Sequence, residues 1–320
     1  MKKKIAVQLF GHLRTYERCA PALQENLLER YGADVFIHTW DTVDHSSPTW
    51  HGQNDLDGSR SVDSSITANI TKLYSPKAMS IESQNLFTEP GSFGTHSEIK
   101  ISLEGMKYML YSQQKVNKLR QEYAAANGVS YDYVLVTRPD ILLLSKIDFS
   151  LYEAEFEYNE GSSIHLINNP DWSLVGNKYI QYPRKSDLLF FSRPENIDII
   201  SSNFSRFEKV YKGINSVLPE GVECPEIAFI EGMVQGGVVP RFYHNDFVIL
   251  RSDIKNVSLS DDDNAAKYLT IFLKVTTAIS KAIDLLISSL PASFRSTIYK
   301  IFLKLGNYAS YKRALESQRR

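Results

Sequence analysis

Cysteine is scarce in this chain of 320 residues, and the two that occur, Cys19 and Cys224, lie far apart in the sequence. The pair provides neither the closely spaced cysteines of a disulfide framework nor the ligand spacing of a structural zinc site. This scarcity fits a protein of a reducing cytoplasm. A hydrophobic content of 43% is enough for a sizeable core, so we expect a globular chain.

Long apolar runs are also missing. No stretch reaches the roughly 18–20 apolar residues that a membrane-spanning helix needs. The basic start Met1-Lys-Lys-Lys resembles the first part of a signal peptide. The apolar run after it is too short, however, and Gly11-His-Leu-Arg14 interrupts it. We therefore expect a cytoplasmic protein that is neither exported nor membrane-spanning.

Several sequence motifs of common enzyme classes are absent. The chain has neither Gly-x-Gly-x-x-Gly nor Gly-x-x-x-x-Gly-Lys-Ser/Thr, which leaves dinucleotide-binding and P-loop functions without support. It also lacks Gly-x-Ser-x-Gly, His-Glu-x-x-His and Cys-x-x-Cys. These absences argue against common hydrolases, zinc peptidases and thiol redox enzymes.

The charge is divided unevenly along the chain. Residues 265–320 contain ten Lys and Arg and only two acids, Asp284 and Glu316, which gives this segment a net charge of +8. Because the whole chain has a net charge of −1, the other residues carry −9. An acidic body argues against nucleic acid as its ligand. Segments 265–290 and 292–310 have helical spacing with lysines among apolar residues. They predict a peripheral anchor on an anionic membrane or, alternatively, a helical hairpin docked on the body or on a second subunit.

The hydrophobic pattern predicts an α/β fold in which helices flank a mostly parallel twisted sheet. A strand over 5–10, a helix over 15–31 and a strand over 34–41 form a β-α-β unit, which implies a parallel pair. We assign residues 1–263 to one domain and residues 264–320 to the basic helical appendage. Further strands are predicted at 77–81, 131–138, 163–167, 186–192 and 238–250, and further helices at 66–74, 98–126, 194–217 and 225–236.

The most informative motif is Tyr131-Asp-Tyr-Val-Leu-Val-Thr-Arg-Pro-Asp140. An apolar strand runs into Arg138 and Asp140, and Pro139 should end it. Open α/β sheets bind ligands at the carboxyl ends of their strands, so we expect both residues to converge with the ends of the first two strands. A carboxylate there can hold a divalent cation and an arginine can bind a phosphate. The alternative interpretation is a surface ion pair.

Other candidates follow the same logic. Gly11 and Arg14 lie in the loop after the first strand, and Asp41 follows the second. Asp187 begins an apolar strand, where a carboxylate either caps or lines a site. Glu226 lies in the first turn of a predicted helix, a position that a carboxylate favours without any function.

The segments Val7-Gln-Leu-Phe-Gly-His-Leu-Arg-Thr15, Asp34-Val-Phe-Ile-His-Thr-Trp-Asp41 and Tyr133-Val-Leu-Val-Thr-Arg-Pro-Asp-Ile141 together resemble bacterial glycosyltransferases of the GT-A fold. Such enzymes build O-antigen, lipopolysaccharide or capsule. The resemblance covers roughly residues 4–252, with weaker support from Ser186-Asp-Leu-Leu-Phe-Phe-Ser192 and Pro225-Glu226. No match was found for the tail.

The resemblance implies roles for particular residues. Gln8, Gly11, Arg14 and Asp41 would line the nucleotide pocket, together with the residues of the central motif. Asp187 would face the acceptor sugar, and Glu226 would be the general base of an inverting mechanism, which is favoured; the alternative, a retaining mechanism, would need no such base.

The resemblance also bears on a metal. GT-A enzymes normally carry Asp-x-Asp at the central motif to hold Mn²⁺ or Mg²⁺, but Arg138 replaces the first acid here. Either Asp140 and His244 hold the metal, or Arg138 itself neutralises the diphosphate. With Asp140 taken to lie at the sheet edge, Asp140→Ala should abolish turnover and leave the fold intact.

The expected function is transfer of a hexosyl or pentosyl group from a nucleotide sugar to a lipid-linked glycan acceptor, at the inner face of the cell membrane. One alternative is a sugar nucleotidyltransferase, which would need a glycine-rich basic loop after the first strand. A sulfotransferase would need a phosphate-cradling loop there. Another alternative is a non-catalytic scaffold of a polysaccharide assembly complex.

Overall fold

The computed structural model describes residues 3–45, 60–89, 92–93, 101–153, 156, 163–167, 171–175, 178–182, 187–208, 225–243 and 247–250. Cys224, His244 and the predicted appendage 264–320 lie outside these residues, so the domain boundary and the amphipathic helices stay predictions.

The described strands are short. They are β1 (Ile5–Phe10), β2 (Asp34–Trp40), β3 (Ala78–Glu82), β4 (Ser92–Phe93), β5 (Ile101–Ser102), β6 (Tyr133–Thr137), β7 (Ile141–Leu143), β8 (Ser163–Ile167), β9 (Asp171–Val175), β10 (Lys178–Tyr182), β11 (Leu189–Ser192), β12 (Val239–Tyr243) and β13 (Phe247–Ile249).

The described helices flank these strands. They are α1 (Tyr16–Leu23), which continues through a π-helical segment (Gln24–Leu28) into α2 (Glu29–Tyr31), and α3 (Ser64–Tyr74), α4 (Leu103–Asn127), α5 (Pro194–Ser201) and α6 (Pro225–Gln235), with 3₁₀ turns at Phe149–Tyr152 and Ser202–Arg206. Within the described part of the chain, no helix is both long and apolar enough to cross a bilayer.

Seven of the described strands form one sheet in the order β12-β8-β11-β6-β1-β2-β3. Only β11 runs antiparallel to its neighbours, β6 and β8. The other pairs are parallel, including β1 with β2 and β1 with β6. The predicted α/β fold with a mostly parallel sheet is therefore confirmed, as is the first β-α-β unit.

Alternation along the buried strands directs side chains to two apolar layers. Val7 and Leu9 of β1 pack in one layer with side chains of α1 and α3. Ala6 and Phe10 pack in the other layer with side chains of α4, α5 and α6. Because β1 is buried along its whole length, helices cover both faces of the sheet there.

Local sequence signals end several of these elements. Gly32 and Gly128 adopt positive φ angles of 60° and 63° and terminate α2 and α4. The β6 strand ends at Thr137, before Pro139, as predicted.

Other boundaries differ from the prediction. The predicted strand 238–250 is two strands, and β13 pairs with β7 outside the main sheet. The hairpin of β9 and β10 was not predicted, although Gly176-Asn177 between the two strands is a turn signal.

Two helical glycines differ in the space around them. An added Cβ at Gly232 in α6 would lie 2.5 Å from Nδ2 of Asn203, a fully buried side chain that accepts a hydrogen bond from Arg206. An added Cβ at Gly105 in α4 would meet only Cβ of Ser102, at 3.7 Å. We expect Gly232→Ala to lower the free energy of unfolding by about 1–3 kcal/mol through overpacking.

Gly105→Ala is the matched control and should be neutral or raise the free energy of unfolding by up to about 1 kcal/mol. Urea denaturation of both variants measures the difference. Equal stability of the two variants would contradict the packing described around Asn203.

Candidate functional site

The loops that follow β1, β2 and β6 meet at one edge of the sheet. These three strands are neighbours and parallel, so their carboxyl ends lie side by side. The loops carry Arg14, Asp44, and the pair Arg138 and Asp140. Such an edge is where open α/β sheets bind their ligands.

Asp140 is the centre of a buried ionic cluster. Its Oδ1 accepts a hydrogen bond from Nε of Arg138 at 2.9 Å. Its Oδ2 accepts bonds from Nη2 of Arg138 and, at 3.1 Å, from Nη1 of Arg14. The side chain of Asp140 is fully buried, while those of Arg14 and Arg138 are 8% and 10% exposed. Arg138 and Asp140 thus meet Arg14 at the strand ends, so the alternative of a surface ion pair is wrong, while the expected pocket for a diphosphate stays a prediction.

Backbone contacts hold this cluster in place. Arg14 has a positive φ of 47°, and its N–H donates to the carbonyl of Val43 at 2.8 Å. Its Nε donates to Oδ1 of Asp44 at 2.8 Å, so two carboxylates orient one guanidinium. The carbonyl of Asp140 accepts from the N–H of Leu250 at 2.9 Å, and the carbonyl of Leu250 accepts from Oγ1 of Thr15 at 2.6 Å.

The two guanidiniums remain charged despite their burial. Burial acts to lower the pKa of Arg14, but the carboxylates of Asp140 and Asp44 outweigh it and raise the pKa. Burial lowers the pKa of Arg138, with the positive charge of Arg14 acting in the same direction and Asp140 opposing it. Arginine stays protonated in proteins, so the cluster presents two fixed cations.

A carboxylate pair lies close to this cluster. Asp187 precedes β11, and Glu226 lies in the first turn of α6; each is 7% exposed. Burial, followed by the charge of Glu226, raises the pKa of Asp187 to about 8, while Arg138 opposes the rise. Oδ1 of Asp187 has no hydrogen-bond partner among the described residues. Such a perturbed carboxyl group is typical of a functional site.

The other predicted site residues are more dispersed. Gln8 lies within β1, is fully buried, and donates from Nε2 to Oδ1 of Asn117 in α4 at 2.8 Å. This position does not favour its predicted contact with a nucleotide. Gly11 has a φ of 86°, and its N–H donates to Oγ of Ser112 at 2.8 Å. Asp41 is half-buried at the end of β2, and its N–H donates to the carbonyl of Glu82 at 2.8 Å.

Sequence reasoning missed Asp44 and His12. Asp44 follows β2 as Arg14 follows β1, so the parallel pairing of the two strands was a usable signal for their contact. His12 is buried, and its ring nitrogens contact the carbonyl of Thr42 at 3.1 Å and Oε1 of Gln84 at 2.9 Å. Burial, with the charge of Arg14, lowers the pKa of His12 to about 4, so the ring is neutral at pH 7.

The cluster does not fit a divalent metal. A carboxylate offers about four lone-pair sites, and guanidinium N–H groups use three on Asp140. An ion at any oxygen of Asp140 would compete with these bonds and lie beside two cations, which disfavours it. Among the described residues, no group of three or more His, Cys, Asp or Glu side chains could hold a metal. His244, the other predicted ligand, lies outside them.

The burial of Asp140 also corrects the expectation for Asp140→Ala. The sequence interpretation assumed an acid at the sheet edge that could be removed without harm to the fold. Its removal would instead leave two buried guanidiniums without their carboxylate, which costs about 3–5 kcal/mol. That variant is therefore unsuitable as a test of catalysis.

Comparisons with known proteins give a likeness to solved structures but none to a family model or a curated protein. No protein-family model matches the chain, and no curated protein matches it. The chain is similar to the crystal structure of a glycosyltransferase involved in the glycosylation of the major capsid of PBCV-1. The match covers 76% of this chain and 82% of that chain, with a TM-score of 0.32 and 11% sequence identity. At that level no functional role is transferred from it.

The raised pKa of Asp187 predicts a pH-dependent stability. A carboxyl group with a raised folded-state pKa stabilises the protein fully below its unfolded pKa of about 4, and this contribution is lost as the pH rises to about 8. Asp187→Asn abolishes the ionisation. We therefore expect the variant to exceed the wild type in stability by a few kcal/mol at about pH 9, with little difference at about pH 4.

Asp148→Asn is a control of opposite sign. Burial opposes the shift, but hydrogen bonds from Ser150 and the charge of Arg30 lower the pKa of Asp148. Its contribution is therefore present at neutral pH and lost as the pH falls, and the variant should be the less stable protein at about pH 7. Urea midpoints across this pH range measure both variants. A pH-independent difference for Asp187→Asn would contradict the burial of an ionisable acid there.

Proposed function

We propose that this protein is a glycosyltransferase that moves a sugar from a nucleoside diphosphate sugar to a hydroxyl of a glycan acceptor. The observation that carries the proposal is the pair of guanidiniums, Arg14 and Arg138, on one buried carboxylate at the carboxyl ends of β1 and β6. Guanidinium N–H groups match the oxygens of phosphate in geometry and charge. A diphosphate is the leaving group that suits this arrangement.

The chemistry needs a cation where charge develops. As the bond from the anomeric carbon to the diphosphate oxygen breaks, the electron pair leaves with the diphosphate, and the sugar gains oxocarbenium character. Positive groups already oriented toward that oxygen stabilise the transition state without rearranging. The bonds from Asp44 and Asp140 hold Arg14 in one orientation, which provides this preorganisation.

The second requirement is a base for the acceptor. In an inverting reaction the acceptor oxygen attacks the anomeric carbon while its proton moves to a carboxylate. Burial and the charge of Glu226 raise the pKa of Asp187 to about 8, close to physiological pH, and Arg138 lies near enough to oppose the rise. A carboxyl group whose pKa lies near the working pH can hold or release a proton there, which suits Asp187 to proton exchange with a neighbouring base. Glu226 serves as the base, and Asp187 faces the acceptor and shares its proton.

We further propose the setting of bacterial surface polysaccharide synthesis, with a lipid-linked acceptor at the inner face of the cell membrane. The supporting feature is the basic segment 264–320, whose apolar and lysine residues alternate at helical spacing. Such segments bind anionic headgroups. Binding at the surface brings the enzyme to an acceptor confined there.

Acceptor-dependent turnover tests the proposed activity. With a panel of nucleotide sugars and oligosaccharide acceptors, the wild type should release nucleoside diphosphate only when acceptor is present. Glu226→Gln and Asp187→Asn should lower kcat by about a hundredfold or more, because each removes a proton acceptor, while nucleotide affinity is retained. Glu122→Gln, an exposed carboxylate on α4, is the control and should keep wild-type turnover.

Other outcomes of the same assay identify other functions. Exchange of pyrophosphate into the nucleotide sugar would contradict the transferase and indicate a sugar nucleotidyltransferase. Absence of turnover across the whole panel would contradict enzymatic activity and favour a scaffold.

A vesicle-binding experiment tests the proposed anchor. The full chain should sediment with vesicles that contain anionic lipid and much less with neutral ones, since its lysines need negative headgroups. A chain that ends near Asp263 should lose this binding while its urea midpoint stays unchanged. Equal sedimentation of the truncated and full chains would show that the segment is not the anchor.

A further inference from the structure

We infer that the donor diphosphate binds to this protein without a divalent cation, and that Asp140 is a positioning residue for two arginines rather than a metal ligand. The inference rests on the proposed function and concerns the same site. Three observations on the cluster support it: which lone pairs of Asp140 are used, which guanidinium edges are used, and how deeply Asp140 is buried.

The lone pairs of Asp140 are committed to arginine. Oδ1 accepts from Nε of Arg138, and Oδ2 accepts from both Arg138 and Arg14. A hard cation such as Mn²⁺ or Mg²⁺ binds through carboxylate oxygens, and Mg²⁺ in particular requires nearly ideal octahedral geometry. To bind one, Asp140 would have to release guanidinium bonds that its own burial makes strong.

The guanidiniums still have donors to offer. Arg14 uses Nε on Asp44 and Nη1 on Asp140, and Arg138 uses Nε and Nη2 on Asp140. These bonds leave Nη2 of Arg14 and Nη1 of Arg138 as further donors among the described contacts. Two such groups, held by one carboxylate, can bind two non-bridging oxygens of a diphosphate at once.

The burial of Asp140 explains why the acid is needed at all. Two guanidiniums this close repel each other, and the charge of Arg14 contributes to the lowered pKa of Arg138. A carboxylate between them cancels the repulsion and sets the angle between their planes. In the segment Arg138-Pro-Asp140, an arginine therefore neutralises the charge of the phosphate. In an Asp-x-Asp segment, a metal ion held by the two acids would neutralise it.

The decisive measurement is the binding of nucleoside diphosphates and the matching monophosphates by calorimetry, in EDTA and in Mn²⁺. We expect the diphosphate Kd to change by less than about twofold between the two conditions. Arg14→Lys and Arg138→Lys should each weaken diphosphate binding by about tenfold, the loss of one charge-assisted bond, and weaken monophosphate binding much less. A general disturbance of folding would weaken the binding of both nucleotides alike, so it would not change the ratio of the monophosphate Kd to the diphosphate Kd.

Arg120→Lys provides the matched control. Arg120 is also a buried arginine paired with a carboxylate, Asp198, but it lies on α4 beside Asn117. In the Arg120→Lys variant, the preference for the diphosphate over the monophosphate, measured as the ratio of the two Kd values, should equal that of the wild type. A loss of that preference in Arg120→Lys equal to the loss in Arg138→Lys would overturn the assignment of the phosphate site.

Asp140→Asn separates the two roles of the acid. As a positioning residue, its replacement should weaken diphosphate binding to the same extent in EDTA and in Mn²⁺. If Asp140→Asn fails to fold, the two arginine variants still decide the question. Diphosphate binding that requires Mn²⁺ in the wild type would overturn the metal-free site and leave the transferase standing, whereas no nucleotide binding in either condition would overturn both.

Discussion

The sharing of one buried carboxylate by two arginines is the constraint on which the rest of this site depends. Asp140 connects the loop after β1 with the loop after β6, and its backbone carbonyl connects both to Leu250. An unpaired charge in such a position costs several kcal/mol, so none of the three side chains can move independently. The cluster therefore stabilises the sheet edge and, at the same time, fixes the direction of two cations.

The carboxylate pair beside the cluster works against stability. Asp187 is kept away from water and near Glu226, so its ionised form is disfavoured and its pKa rises to about 8. A protein selected for stability alone would have no need of an acid there. Perturbed carboxyl groups of this kind are enriched at functional sites, and this one lies beside the arginine cluster, which supports the proposed role of the pair.

The fold was more readable from the sequence than the site. Continuous apolar runs such as Ile5–Phe10 indicated buried parallel strands, and Pro139 marked the end of β6, because both signals are local. The pairing of Arg14 with Asp44 and Asp140 spans 30 and 126 positions, and only strand order decides it. The prediction that Asp140 is exposed was also wrong. The burial of a residue depends on which loops pack over it, and these loops come from distant parts of the chain.

The sequence by itself determined the mostly parallel α/β sheet, the strand ends that carry Arg14, Arg138 and Asp140, and the contrast between an acidic body and a basic tail. These features follow from periodicity, proline and charge, which act over a few residues. Tertiary structure alone decided that one carboxylate serves two guanidiniums and that Asp187 lies close enough to Glu226 to be affected by its charge. Lone pairs and proton affinities are set by the atoms that folding brings together, and those come from distant parts of the chain.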